Sequence, residues 1–214
     1  MSPIPLVLAT RNEGKTGELK ALLADFPVDI KNLTDFGPTP AIEEHGETFE
    51  DNAVSKARFT AKVLGLPALA DDSGLMVEAL GGAPGVRSAR YAGENATDFE
   101  NNIKLLQELE NVENRSAAFA CTIAIAVPWG PALIYEGRCE GSITTEQAGT
   151  QGFGYDPVFY YPPLQKTFAQ LSTEEKNRVS HRGQALKELR SEFDKVLIWL
   201  RQRLIESGWQ WLDE

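Results

Sequence analysis

The chain is poor in the residues that staple or metallate small proteins. Its 214 residues hold two cysteines, Cys121 and Cys139, and two histidines. Neither cysteine belongs to a CxxC pair or has a histidine at metal-ligand spacing. This argues against a disulfide framework or a zinc module and predicts two buried thiols of a reducing compartment. No run reaches the roughly 18 apolar residues of a membrane span. Met1–Ala9 lacks a cationic stretch, and its apolar run is too short for a signal peptide. A soluble cytoplasmic protein, free of the membrane, is expected. Cationic charge is also scarce: 21 Lys and Arg face 31 Asp and Glu, a net charge of −10. That balance argues against nucleic-acid polymers or anionic membranes as partners. It leaves a small anionic ligand open, because a local cluster of cations suffices for one. Internal repeats, low-complexity tracts and linkers are absent, so residues 1–214 are expected to form a single α/β domain.

Hydrophobic periodicity supplies the elements. Ile4–Ala9 reads as a buried strand that runs through a Gly-containing turn, Thr10–Lys15, into a helix bearing Leu19, Leu22, Leu23 and Phe26. Phe49–Leu64 reads as a helix with a stripe of small residues, Ala53, Ala57 and Ala61, while Asn52 and Lys56 share another face. Pro67–Ala70 is a short strand, and Asp71-Asp72-Ser73-Gly74 reads as the polar turn that ends it. Thr97 and Glu100, and again Ser172 and Glu175, have capping-box spacing. Ala117–Val127 and Ala132–Cys139, split by Pro-Trp-Gly-Pro, predict a hairpin. A last long helix carries Leu186, Leu189, Phe193, Val196, Leu197, Leu200 and Leu204, with Trp209 and Trp211 beyond it as core anchors for the helix or part of a subunit contact. Crossover and hairpin-linked strands together imply a mixed sheet flanked by helices.

Four segments can carry chemistry. The helix start at Thr10–Lys15 offers backbone N–H groups and a cation to phosphate. Gly14-Lys15-Thr16 imitates the end of a Walker A loop, and Leu66–Asp72 imitates a Walker B strand. The first glycine of that motif is missing, however, because Ala9 stands in its place. Glu43, Glu44, Asp71 and Asp72 are hard oxygen donors of the kind that suits Mg²⁺. Asp72 lies at a strand end, where crevices form in α/β sheets. Lys176, His181 and Arg182 make a cationic group near a helix start or break. In Gly152-Phe153-Gly154-Tyr155-Asp156-Pro157, glycines flank an aromatic ring that could stack on a base or sit in the core.

In order along nearly the whole chain, the segments Thr10–Lys15, Gly46–Ala53 with Lys56, Asp71–Leu75, Gly82–Val86 with Ser88–Tyr91, Phe153–Pro157, Glu175–Asn177 and Ser180–Arg182 resemble the inosine triphosphate pyrophosphatase family. The resemblance implies an elongated mixed sheet with two lobes around a central nucleotide-binding cleft. It implies Mg²⁺-dependent hydrolysis of ITP, dITP or XTP to the monophosphate and pyrophosphate, usually by a homodimer. It assigns Thr10, Arg11, Asn12, Glu13, Gly14 and Lys15 to the triphosphate, with Lys15 directly on phosphate and Lys56 as a second cation. Asp72 becomes proton acceptor and metal ligand, with Ser73 beside it on the nucleotide. Glu43 becomes the other metal ligand, its register against Glu44 open. Phe153, Gly154, Tyr155, Asp156, Lys176, His181 and Arg182 surround the base and sugar. The family commonly has two glycines before Phe-Gly-Tyr-Asp; here they are Gln151 and Gly152. The Maf-type nucleotide pyrophosphatases share a similar architecture, but the Ser-His-Arg and Phe-Gly-Tyr-Asp segments separate the chain from them. Retention of Asp72, Lys15 and the Glu43/Glu44 pair argues against a non-catalytic nucleotide-binding module.

Overall fold

A computed structural model describes residues 3–40 and 45–206. Glu43, Glu44, Trp209 and Trp211 lie outside the described residues. In chain order the elements are strand β1 (Ile4–Leu8), helix α1 (Glu13–Leu22), β2 (Val28–Asn32), α2 (Phe49–Leu64), β3 (Ala68–Val77), α3 (Asp98–Glu108), β4 (Ser116–Ala126), β5 (Ala132–Ile143), β6 (Phe159–Tyr161), β7 (Lys166–Thr167), α4 (Thr173–Val179) and α5 (His181–Glu206). Seven strands form a mixed sheet in the order β2-β1-β3-β4-β5-β6-β7. Strands β2, β1 and β3 are parallel, whereas β5, β6 and β7 are antiparallel. No described helix is long and apolar enough to cross a membrane.

The chain divides into two compact units. The first takes its described residues from Met1–Asp72, Thr122–Tyr135 and Leu186–Glu214. Here β1 pairs with β2 from Ile4↔Val28 to Leu8↔Asn32, and with β3 at Val7↔Ala68 and Leu8↔Leu69. The chain therefore steps one way from β1 to β2 and back across β1 to reach β3. Parallel crossovers are right-handed, so this reversal puts α1 and α2 on opposite faces of the sheet. The alanine stripe of α2 is fully buried and packs with Val7, Ala68, Ala70, Ala124 and Ala126. Small side chains on both partners let helix and sheet approach closely. α2 opens on a capping box between Thr48 and Asp51 and closes at Gly65, whose φ of 68° suits a left-handed cap. α5 buries Leu189, Phe193, Leu200 and Leu204. Phe193 meets Phe26 edge-on at 4.9 Å between centroids, and Arg190 lies over the same ring and pairs with Asp25 at 2.7 Å.

The second unit comprises Ser73–Cys121 and Glu136–Ala185. Its core is aromatic. Phe159 lies 4.5 Å from Phe119 and 4.8 Å from Phe168 between centroids, among Leu75, Leu105, Leu109, Val158 and Leu171. β6 pairs with β5 through Ser142↔Tyr160 and Ile143↔Phe159. Both predicted capping boxes form, Thr97 with Glu100 on α3 and Ser172 with Glu175 on α4. Cys121 and Cys139 are buried and form no disulfide, and burial pushes the Cys139 thiol up to about 12.

One local expectation fails. The strand expected at Pro67–Ala70 does not end in a turn at Asp71-Asp72-Ser73-Gly74; β3 runs on through Val77. Two adjacent carboxylates read as a solvated turn, but in the fold each meets an ammonium, and that pairing lets them lie half-buried within a strand.

Phe193→Ala removes a fully buried ring. It is expected to lower unfolding stability by about 3–5 kcal/mol, measurable by urea titration as a lower midpoint at unchanged slope.

Candidate active site

The first unit brings two acid–lysine pairs together at the end of its parallel strands. The reversal of strand order beside β1 is the place where open α/β sheets bind ligands, outside the carboxyl ends of the strands. β1 delivers the chain there at Thr10, whose N–H bonds Leu8 O at 2.7 Å and whose carbonyl accepts from Leu33 N at 3.0 Å. The turn is then shaped by its own side chains. Thr10 Oγ1 accepts from Asn12 N at 3.2 Å, and Asn12 Oδ1 caps α1 by accepting from Lys15 N at 3.1 Å. Glu13 Oε1 accepts from Asn32 Nδ2 at 3.0 Å, tying the helix start to the end of β2. Arg11 reaches Thr39 Oγ1 at 3.0 Å. A side chain on Gly14 would put Cβ 3.1 Å from the Asn12 cap oxygen. Asn12 and Glu13 thus shape the turn, and Lys15 carries its charge inward from the first turn of α1.

That charge ends on Asp71, with Lys15 Nζ 2.8 Å from Oδ2 and 3.1 Å from Oδ1. Lys56 Nζ, from α2, sits 2.9 Å from Asp72 Oδ1, and Asn52 Nδ2 donates to Asp72 Oδ2 at 3.1 Å. Successive side chains of a strand point to opposite faces. The two adjacent acids of β3 therefore meet lysines from helices on the two sides of the sheet. The Asp71 side chain is 7% exposed and Asp72 13%. Sequence reasoning named Asp72, Lys15 and Lys56 and counted Asp71 among the hard oxygen donors, but gave Asn52 no task and did not foresee the Lys15–Asp71 pair. Strand alternation through the acidic pair was the available signal, hidden by reading it as a turn.

These residues suit a divalent cation of the Mg²⁺ kind. The donors are hard carboxylate oxygens, and the described residues contain no cluster of three or more His, Cys, Asp or Glu. Mg²⁺ usually takes one or two carboxylates, with substrate phosphates and water completing the shell.

The second unit holds a cavity of about 180 Å³, lined among others by Ser73, Asp98, Phe119, Phe153, Lys176 and His181. Its rim is Phe153, 74% exposed, with the Lys176 ammonium 4.5 Å from the ring centroid. Lys176 also pairs with Asp156, whose Oδ2 accepts from Phe153 N at 2.9 Å. Burial pushes the Asp156 carboxyl up, and the Lys176 charge and the Phe153 N–H pull it back part of the way. The loop is fixed at both polar atoms of Gly154: its N–H donates to Asp98 Oδ2 at 2.6 Å, and its carbonyl accepts from Asn102 Nδ2 at 2.9 Å. Gly152 has φ 78°, and a Cβ there would lie 2.0 Å from Asp156 Oδ2, so only glycine fits. Gln151 is not among the residues of positive φ, and its N–H bonds Ala169 O at 3.0 Å, so the backbone accommodates the departure from glycine.

Tyr155, also in the cavity lining, is mostly buried, and its hydroxyl donates to Ser88 O at 2.9 Å. His181 begins α5 and stacks on Phe119 at 4.7 Å between centroids and 15° between planes. Gly137 makes room for it, since a Cβ there would lie 2.0 Å from His181 O. Arg182 follows on α5 and is not among the lining residues. Ser73 Oγ is buried and has no hydrogen-bond partner among the described residues, the condition of a hydroxyl that awaits a ligand. Sequence reasoning missed Asp98, Asn102 and Phe119, which carry no motif of their own.

Comparison with known proteins places the chain in a family. The chain is 60% identical over 203 residues to a dITP/XTP pyrophosphatase of Syntrophobacter fumaroxidans, covering 95% of this chain and 88% of that one. It is 58% identical over 202 residues to a dITP/XTP pyrophosphatase of Desulfotalea psychrophila, covering 94% and 91%. Among solved structures, a HAM1 protein from Coxiella burnetii superposes with a TM-score of 0.87 at 48% identity, covering 90% of this chain and 99% of that one. A family model described as Ham1 family matches residues 6–192. Matched over most of its length by that model and by those relatives, the chain belongs to the Ham1 family.

Proposed function

We propose that the protein hydrolyses non-standard purine nucleoside triphosphates, dITP, ITP and XTP, to the monophosphate and pyrophosphate with the help of Mg²⁺. The observation that carries this reading is the environment of Asp72: a half-buried carboxylate at the strand-order reversal, held by one ammonium and one amide, one residue from a second acid–lysine pair.

Asp72 takes a proton from a water that attacks the α-phosphorus; the α–β bridging bond breaks, and pyrophosphate leaves. In the ligand-free arrangement Lys15 and Lys56 neutralise Asp71 and Asp72. A triphosphate offers those ammoniums stronger anionic partners, so the lysines turn to phosphate oxygens and spread the charge of the transition state. Asp71 and Asp72, with Glu43 or Glu44, would then hold Mg²⁺, which would supply Lewis-acid polarisation of the phosphate oxygens. The first turn of α1 adds its backbone N–H groups to the phosphates.

The pocket of the second unit takes the base. Phe153 stacks on the purine, and Lys176 donates to the oxygen at C6 that hypoxanthine and xanthine present where adenine presents an amino group. A site that leaves polar groups unpaired against the wrong base discriminates strongly. A homodimer in the cytoplasm completes the reading; light scattering that finds a monomer at micromolar concentration would refute the dimer.

Asp72→Asn should lower turnover of dITP by about 10²–10⁴-fold, the usual contribution of a general base, in a pyrophosphate-release assay. Retention of near-full turnover would refute the assignment. Phe153→Ala should cost about 1–3 kcal/mol of base stacking, seen as a rise in KM for dITP of about 5- to 150-fold. Equal kcat/KM values for dITP, ATP and GTP in the native protein would overturn the proposed base preference.

A further inference from the structure

Asn52 is one of the most deeply buried polar side chains of the first unit, 1% exposed on α2 beside the alanine stripe. A buried amide in an apolar helix–sheet contact is costly unless its donors and acceptor are used. Both ends are engaged here. Nδ2 donates to Asp72 Oδ2 at 3.1 Å, and Oδ1 accepts from Gly46 N at 2.8 Å. The orientation of the amide is therefore fixed by chemistry: a carboxylate can only accept, and a backbone N–H can only donate. Gly46 belongs to the same device. A Cβ on it would lie 2.7 Å from Asn52 Oδ1, 2.6 Å from Asp51 Cβ and 2.9 Å from Asn52 N. Only glycine brings its backbone this close to the amide.

Lys56 lies one turn further along α2 and takes the other oxygen of the same carboxylate. The two grips differ in kind. An ammonium is drawn strongly to phosphate, whereas a neutral amide, anchored through its oxygen to Gly46 N–H, is drawn far less. We infer that Asn52 is a positioning residue: braced by Gly46, it holds Oδ2 of Asp72 and so keeps the carboxylate oriented for its reaction when Lys56 turns to the substrate. The inference rests on the proposed role of Asp72 as proton acceptor.

The test is a double-mutant cycle on the full chain, with Asn52→Ala, Asp72→Asn and the double variant. Single-turnover rates with dITP at excess enzyme are read beside KM and the thermal midpoint. Asn52→Ala is expected to lower the rate at least 10-fold with KM changed less than 3-fold. In the Asp72→Asn background the same change should cost less than 2-fold, because the group it positions is gone. A loss of equal size in both backgrounds means a structural role and overturns the inference, as does an Asn52→Ala rate within 2-fold of the native one. Near-full activity of Asp72→Asn would instead sink the proton-acceptor reading itself, a separate outcome. Asn52→Asp covers the case in which the Ala variant unfolds. It keeps the volume and the acceptor for Gly46 N–H but faces Asp72 with an oxygen. A rate at least 10-fold below native supports positioning, and a rate within 2-fold of native overturns it.

Discussion

Successive side chains of a β-strand must point to opposite faces, and the first unit depends on that constraint. Asp71 and Asp72 are neighbours in sequence yet serve two sides of one sheet. Each would be costly to bury alone. Each is met by a lysine from a different helix, because the strand order reverses beside β1 and right-handed crossovers send α1 and α2 to opposite faces. Topology thus decides where the cations can be, and alternation decides where the acids can be. Their coincidence at the carboxyl end of the parallel strands produces a charge-balanced cluster.

Much of the scaffold is legible in the sequence wherever a local rule suffices. The capping boxes at Thr97 and Ser172 form as their spacing requires, and the alanine stripe of α2 becomes its buried face against the sheet. The long apolar periodicity from Leu186 to Leu204 becomes α5. What fails is whatever depends on a distant partner. β2, only five residues long with a lysine and an aspartate inside it, carries too weak a pattern to stand out. β3 hides its second half behind two acids whose neutralising lysines lie 56 and 16 residues away.

The site divides in the same way. Residues whose chemistry is unusual in context, such as Lys15, Asp72, Phe153 and Lys176, announce themselves. Residues that act by holding others do not. Asn52 shares a helix face with Lys56, a relation visible from spacing alone, but its task exists only once Asp72 and Gly46 are brought to it. Asp98 and Asn102 likewise matter through the two ends of one peptide at Gly154. The net charge of −10 says little about either group, since exposed charges beyond about 8–10 Å are largely screened at physiological salt.

The ring of Phe153 stands in water although it is large and apolar. Collapse onto the core would be its natural fate, but Asp98, Asn102 and Asp156 pin the loop on both sides of it. The unsatisfied surface is thereby held in reserve. A purine that covers it removes apolar area from water, and the robust mark of that burial is a negative heat-capacity change. Capture of the base should therefore grow steadily more exothermic as temperature rises, a calorimetric signature set by the loop's geometry before any phosphate chemistry begins.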